Sequence, residues 1–396
     1  MKDYVILLDG ENNVIGLEDK VRAHVQKRRH SAFSVFLFND MGHMLLQCRA
    51  DGKYHSAGLW SNTCCSHPGI NEECGQQAQE RLKYEMGVDC SLKELVRQLK
   101  AGNGNMAQMA DWMAGSEGKL IRPVLFYLVY LLFSDCLQRG MGRVAVGIEW
   151  IHSASLIHDD IMDNGLVRRG RKSFVSEYGL DDALVMGDFL IFAAMQELNS
   201  VQGKNAGAVR RQMIWNGLML CGGQKEEKKL LGNIDAGQDV YFQVIEMKTA
   251  CFFEAVFKAA AFTADQDMKT VENLGDAGKE LGYAFQIRND IKDIMSADGE
   301  HGSSDIQRRL VTLPVILAYR NGGRYVKAAL KEHYALCKGS GSGEIKRILL
   351  ETGGVQETEK IMKRSLRTAY DILTDYGRSD ALDEISRIMD YLRDKI

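Results

Sequence analysis

The sequence predicts a mainly α protein: a large all-α helical bundle over residues 96–396, preceded by a small α+β module over residues 1–95. Three observations carry this. Only 3 Pro interrupt 396 residues, and proline is the strongest helix breaker. Beyond about Ser91, apolar residues recur at three- and four-residue spacing, the period of a half-buried helix. Before that point the chain carries a strand-like apolar run and turn residues instead.

In chain order, Phe33-Ser34-Val35-Phe36-Leu37-Phe38, the turn residues Asn39-Asp40-Met41-Gly42 and then Met44-Leu45-Leu46-Gln47 predict a β-hairpin. A helix is expected from about Glu72 to Met86, stopped by Gly87. Helical periodicity then runs through 122–134, 144–157, 182–198 and 240–263. Three loops are expected: Gly222-Gly223 with the Lys/Glu run to Lys229, Asp298-Gly299 through Ser304, and Gly339 to Gly343. The lysine-rich run reads most simply as a solvated loop. No internal repeat is evident.

Composition narrows the function. A net charge of -3 argues against a general nucleic-acid binder. The start, Met1 to Asp9, lacks a basic region followed by an apolar stretch and a small-residue cleavage site. The longest apolar run, Val124 to Phe133, is too short to span a bilayer, so no transmembrane segment is expected. The 9 Cys form no regular framework, and the adjacent Cys64-Cys65 suit reduced thiols in a cytoplasm.

The chemistry concentrates in Ile157-His158-Asp159-Asp160-Ile161-Met162-Asp163, followed by Arg168-Arg169-Gly170. On a helix Asp159 and Asp163 share one face with Asp160 beside them, and such a gathering of carboxylates opposes stability unless it holds a cation. Hard oxygen donors that also keep waters and bridge phosphate are what Mg2+ requires. A second acidic turn follows far downstream in Phe285-Gln286-Ile287-Arg288-Asn289-Asp290-Ile291-Lys292-Asp293. Two such turns facing each other make a metal cage. Around them lie Lys119 and Arg122 before Pro123, His152, Arg168, Arg169, and Lys248-Thr249, groups suited to phosphate oxygens.

From about residue 100 to 396 these motifs resemble the trans-isoprenyl diphosphate synthase family. They stand in that family's order: Gly-Lys-x-x-Arg-Pro, Asp-Asp-x-x-Asp with Arg-Arg-Gly, Ala183 to Leu190 with Gly187-Asp188, Lys-Thr, and Phe-Gln before the second acidic turn. The resemblance implies an isoprenoid-synthase-type bundle, a homodimer, and condensation of isopentenyl diphosphate with an allylic diphosphate. It implies Mg2+ at Asp159, Asp160 and Asp163, and at Asn289, Asp290 and Asp293. Arg168 and Lys248 are then expected on the allylic diphosphate, Lys119, Arg122, His152 and Arg169 on isopentenyl diphosphate, and Thr249 and Gln286 lining the allylic side. Two positions depart from the family. Asn289 offers a neutral carbonyl where the family has Asp, and Leu310 replaces a Lys before Val311-Thr312-Leu313-Pro314, leaving Arg308 or Arg309 as substitutes.

Product length follows from steric room below the first acidic turn. Ala154 and Ser155 are small, so products of about twenty carbons or longer are expected unless Met186, Phe189 or Phe192 blocks the way.

The first 95 residues resemble type I isopentenyl-diphosphate isomerase, a Nudix relative, through Ser31 to Phe38, Trp60 to Pro68 and a degenerate Nudix box at Glu72, Leu82, Glu85, Gly87 and Val88. That resemblance implies His24, His30 and His67 as ligands of Mn2+ or Zn2+, Cys65 as a proton-transfer residue and Glu85 near a diphosphate-gripping Mg2+. About half of that fold is covered, and its later Glu-x-Glu element has no counterpart before Gly118. The module therefore reads as truncated. Three functions follow: a prenyltransferase with a degraded isomerase segment, a bifunctional isomerase and prenyl synthase, or a non-catalytic subunit that tunes a partner synthase.

Overall fold

The computed structural model describes residues 4–9, 13–35, 47–48, 60–61, 64–66, 120–134, 137–138, 140–168, 171–295, 304–336, 341–376 and 380–394. The chain divides into two compact units, residues 1–118 with 138–140, and residues 119–137 with 141–396.

In the first unit β1 (Tyr4–Leu8) pairs antiparallel with β2 (Val14–Asp19), with an irregularity between Leu7 and Leu8. Asp19 ends β2 and caps α1 (Lys20–Val25), its carboxylate accepting the Arg22 backbone N–H at 2.9 Å. Val5, Leu7 and Ala23 close into a small apolar cluster. No alternation in the sequence had marked this hairpin. β3 (Phe33–Val35) pairs with β6 (Cys64–Ser66), and β4 (Gln47–Cys48) with β5 (Trp60–Ser61). The pairings described for the expected local hairpin are thus with later strands. Its turn and most of its second strand lie outside the described residues, as does the helix expected from Glu72.

The second unit is helical, as predicted. α2 (Ile121–Tyr130), α3 (Met141–Met162), α4 (Phe174–Tyr178), α5 (Leu180–Asn199) and α6 (Ala206–Glu226) lead to a 3-10 turn, Glu227–Lys229. α7 (Gln238–Ile245), a π-helical turn (Glu246–Ala250) and α8 (Cys251–Thr263) then run as one continuous rod. α9 (Met268–Met295) is the long central helix. α10 (Ser304–Arg308), α11 (Leu313–Asn321), α12 (Arg324–Tyr334), α13 (Ser342–Glu351), α14 (Gly354–Thr374) and α15 (Asp380–Asp394) complete the bundle. Between α3 and α4 the chain makes the two-residue strands β7 (Val167–Arg168) and β8 (Arg171–Lys172), which a purely helical reading of this region missed.

α9 packs between α8 and α14, and α3 lies along α5. Phe252, Phe253 and Phe257 of α8 are fully buried against Leu274 and Leu281 of α9. Each such ring contributes about 1.5–3 kcal/mol of apolar burial. α14 buries Met362, Leu366, Ala369 and Leu373, a helical stripe. Gly278 makes the α8–α9 approach possible: a Cβ there would stand 2.6 Å from the Phe253 carbonyl oxygen.

Two expected element types are corrected. Gly222-Gly223 do not break the chain but finish α6, because they lie against the π turn where any side chain would collide. The lysine-rich run that follows is a 3-10 turn rather than a solvated loop, and it buries Glu227. The loops expected around 298–304 and 339–343 fall largely outside the described residues, although Ser342 and Gly343 already belong to α13.

Candidate active site

α3 carries the first acidic turn at its C-terminal end. Asp159 and Asp160 are in the helix, and the Asp163 N–H continues the helical pattern to the Asp159 carbonyl at 2.8 Å. Asp160 is 4% exposed, and the Arg168 guanidinium grips it with two parallel bonds of 2.7 Å. Arg168 presents that fork from β7. Despite partial burial, which opposes its charge, Asp160 holds the Arg168 guanidinium above its ordinary pKa.

The π turn brings up Lys248 and Thr249. A π turn inserts one residue into a helix without ending it, and α7, the turn and α8 run on without a break. Lys248 Nζ lies 2.8 Å from Glu227 Oε1 and 4.0 Å from Asp159 Oδ1. Burial works against the ammonium, but Asp159 and Glu227 hold its pKa above the ordinary value. Burial pushes the Asp159 and Asp163 carboxyls up, opposed chiefly by Lys248 at the first and by Arg308 at the second.

α9 supplies the second wall. Thr249 Oγ1 donates to Gln286 Oε1 at 2.8 Å, Gln286 Nε2 donates to Asp290 Oδ1 at 2.8 Å, and Tyr241 Oη donates to Asp290 Oδ2 at 2.6 Å. Asp293 accepts the Asp305 backbone N–H at 3.0 Å. Asn289 stands half-buried one residue before Asp290. Burial pushes the Asp290 carboxyl up to about 7, against the hydrogen bonds from Tyr241 and Gln286, and burial beside Asp293 raises Asp305 as well.

The Asp290 shift has a definite sign. Its value in the folded chain exceeds that of an unfolded aspartate, so its contribution to stability is complete below about pH 4 and is lost as pH rises through about 7. In chelator, thermal stability is therefore expected to fall between pH 5 and 8, and Asp290→Asn to flatten that decline, leaving the part due to Asp305. An identical slope in Asp290→Asn would refute the assignment.

Arg122, on α2, is buried and meets His152 Nε2 at 3.3 Å, with its guanidinium 4.7 Å from the Phe253 ring centre and 5.0 Å from that of Phe252. The structure thus joins Arg122 with His152, and Asp159, Asp160 and Asp163 with Arg168 and Lys248. Lys119 and Arg169 lie outside the described residues. Asp188, from the Gly187-Asp188 pair, faces His158 at 3.6 Å. Sequence reasoning missed Glu227, Tyr241 and Asp305. Glu227 was hidden in a run of charged neighbours, and its only signal was its place just after the glycine pair.

In the first unit Cys65 sits in β6, opposite Ser34. The His24 and His30 rings touch edge to face at 4.6 Å. His67 and Glu85 lie outside the described residues. Among the described residues no three metal-ligating side chains are gathered closely enough to hold an ion unaided, and the expectation of Mn2+ or Zn2+ at the N-terminal histidines gains no support.

Mg2+ makes a different demand at the acidic turns. It keeps several waters and takes one or two carboxylates plus substrate phosphates, so a preformed protein cage is not required. The donor set here is all oxygen, and the carboxyls of Asp159, Asp163, Asp290 and Asp305 are raised by burial first and by neighbouring carboxylates second, a cost of negative charge that a dication offsets. The residues present fit the ion.

Residues 103–351 match the polyprenyl synthetase family model. The chain belongs to the polyprenyl synthetase family, a family of prenyltransferases. It is 31% identical over 241 residues to heptaprenyl diphosphate synthase component 2 of Geobacillus stearothermophilus, covering 60% of this chain and 73% of that relative. A geranylgeranyl pyrophosphate synthetase from Pyrococcus horikoshii shares the fold, with a TM-score of 0.69 at 23% identity over 81% of this chain and 99% of that one. The N-terminal region is related to isopentenyl-diphosphate isomerases. It is 50% identical over 130 residues to isopentenyl-diphosphate Delta-isomerase 2 of Aromatoleum aromaticum, 32% of this chain and 67% of that enzyme. Of other isomerases it spans about half the length, 52% and 53%.

Proposed function

We propose that the chain condenses isopentenyl diphosphate with an allylic diphosphate in a Mg2+-dependent step of isoprenoid biosynthesis. The observation that carries this reading is the interleaving of Arg168 and Lys248 with the carboxylates of the first acidic turn, beside the second acidic turn on α9. Asp159, Asp160 and Asp163 on one side, and Asn289, Asp290 and Asp293 on the other, would hold Mg2+, which when bound neutralises charge on the departing pyrophosphate. Arg168 and Lys248 bind the allylic diphosphate oxygens, with bonds that strengthen as charge accumulates there. Thr249 fixes the Gln286 amide on the allylic side. Lys119, Arg122, His152 and Arg169 bind isopentenyl diphosphate and hold its alkene toward the allylic carbon. Asn289, being neutral, lowers metal affinity at the second wall.

The test is turnover by the full chain with allylic primer, isopentenyl diphosphate and Mg2+, read by mass spectrometry. No prenyl product from the pure chain would instead favour the non-catalytic-subunit reading, which the name component 2 of the Geobacillus relative and Asn289 support. Isopentenyl diphosphate as sole substrate tests the bifunctional reading, which rests on the isomerase relatives: only a chain with isomerase activity makes prenyl products from it. The proposed junction lies at 95/96, between a Nudix-like module and the synthase domain.

Product length is part of the same proposal. Ala154 is buried and Ser155, one turn before Asp159, is half-buried with its hydroxyl bonded back to the His152 carbonyl at 2.8 Å. Of the three bulky residues on α5, Phe192 is 74% exposed and does not plug this chain's interior, whereas Met186 is buried and Phe189 half-buried, which leaves these two as the side chains that would stop a growing product. Products of about twenty carbons or more are expected, and Ser155→Phe should shorten them by at least one five-carbon unit through steric filling. An unchanged product distribution would count against the assignment of the tunnel.

A homodimer is proposed as well. Leu184, Val185 and Phe192 on α5 and Ile214, Trp215 and Leu218 on α6 are exposed apolar side chains on consecutive helices, the kind of surface a second subunit covers. A cytoplasmic setting completes the proposal. No helix among the described residues is long and apolar enough to cross a membrane, and Cys221 and Cys251 are free thiols.

A further inference from the structure

Of the three consecutive residues Arg308, Arg309 and Leu310, Arg308 directs its side chain to carboxylates of the site. Leu310 is 8% exposed within the main hydrophobic core, and its backbone bridges to Leu231. Arg309 adopts a left-handed φ of 57° and directs its guanidinium to the Tyr334 carbonyl at 3.4 Å. Arg308 places Nη2 2.5 Å from Asp163 Oδ1 and 3.7 Å from Glu227 Oε2. The segment is pinned from both sides: the Gly232 N–H donates to the Arg309 carbonyl at 2.8 Å, the Val311 N–H to Leu230 at 3.0 Å, and the His333 ring meets the Ile306 carbonyl at 3.1 Å. The direction of Arg308 is thus fixed by the fold rather than by a wandering surface side chain.

We propose that Arg308 is a ligand of the allylic diphosphate, held in the ligand-free chain by Asp163 and Glu227. The inference rests on the prenyltransferase reading. Its ground is charge. Arg168, Lys248 and Arg308 each contact carboxylates of this site, at Asp160, at Asp159 and Glu227, and at Asp163 and Glu227 respectively. Carboxylates that turn to a divalent cation give up part of their attraction for these side chains, and a diphosphate arriving with the metal brings new anionic oxygens to the same place. A guanidinium presents several N–H donors in a planar fork, so Arg308 can engage phosphate while still facing Asp163. With Leu310 committed to the core, Arg308 is the residue of this segment placed to do so.

The test uses the full chain, inorganic pyrophosphate as probe, and calorimetric titration with and without Mg2+. Arg308→Gln is expected to weaken pyrophosphate binding in Mg2+ by about tenfold to a hundredfold, the loss of a charged hydrogen-bond donor. It should leave binding of Mg2+ alone undiminished, since it removes a cation from Asp163. Arg308→Lys should keep the affinity within about threefold to tenfold, because the charge survives without the fork. In turnover, the KM for the allylic substrate should rise in Arg308→Gln while that for isopentenyl diphosphate stays near the native value. Undiminished pyrophosphate binding by Arg308→Gln overturns the proposal. So does parallel weakening of Mg2+ and pyrophosphate, which would make Arg308 a prop for Asp163. If Arg308→Gln does not fold, Arg308→Lys decides on the same two titrations: equal loss for both ligands overturns it. A chain that binds pyrophosphate through Arg308 yet forms no prenyl product would sink the prenyltransferase reading and leave this assignment standing.

Discussion

Asp160→Ala is expected to lower kcat/KM for prenyl transfer by roughly a thousandfold, about 4 kcal/mol of transition-state stabilisation. Two losses combine. The substitution removes a buried carboxylate from the first acidic turn, and it frees the Arg168 guanidinium that Asp160 holds with two bonds of 2.7 Å. Without that fork Arg168 is no longer preset toward the diphosphate, and part of the binding energy must go into ordering it. Arg168 is partly exposed, so water takes over some of its solvation and the fold should survive. Steady-state kinetics beside a thermal melt separates the two effects. Equal rates for Asp160→Ala and the native chain would sink the catalytic role of this turn.

Gly223→Val is expected to destabilise the chain by about 3 kcal/mol and to reduce turnover of the remaining folded protein by roughly a hundredfold. A Cβ at this position would stand 2.5 Å from the Lys248 backbone nitrogen and 2.7 Å from the Met247 carbonyl carbon. Both are backbone atoms, so no side-chain rotation relieves the collision. α6 and the π turn must separate, and Lys248 moves with the turn away from Asp159 and Glu227. Gly217→Ala is the control on the same helix, because a Cβ there meets nothing within 4 Å. It should leave both readouts native or slightly raise stability, alanine being the better helix former. Native melting and turnover in Gly223→Val would refute the close packing of α6 on the site.

The bundle was legible because helical periodicity is local. The pattern over 144–157 and 182–198 predicted α3 and α5 to within a few residues, and the structure extends α3 to Met162 so that the acidic turn rides on its end. The β3–β6 pairing was not legible, since its partners are about thirty residues apart and strand partners leave no periodic signature. Glu227 failed for another reason. A charged run normally marks solvent, and only the packing of α6 against the π turn makes one of its members buried and placed beside Lys248.

The sequence by itself determined the two acidic turns, the cations that accompany them in order, the small residues Ala154 and Ser155, and the isomerase-like start. Each is a matter of residue type at short spacing, which the chain states directly. Tertiary structure decided which charges meet. Arg308 and Asp163 are 145 residues apart, and sequence left Arg308 and Arg309 as equal substitutes at the position before Thr312. The left-handed turn at Arg309 and the burial of Leu310 send one guanidinium to the carboxylates, another to a backbone carbonyl and the leucine to the core. Direction and burial of this kind are set by elements that approach only once the chain has folded, and they fix both the ionisation of Asp290 and the pairing of Arg168, Lys248 and Arg308 with their carboxylates.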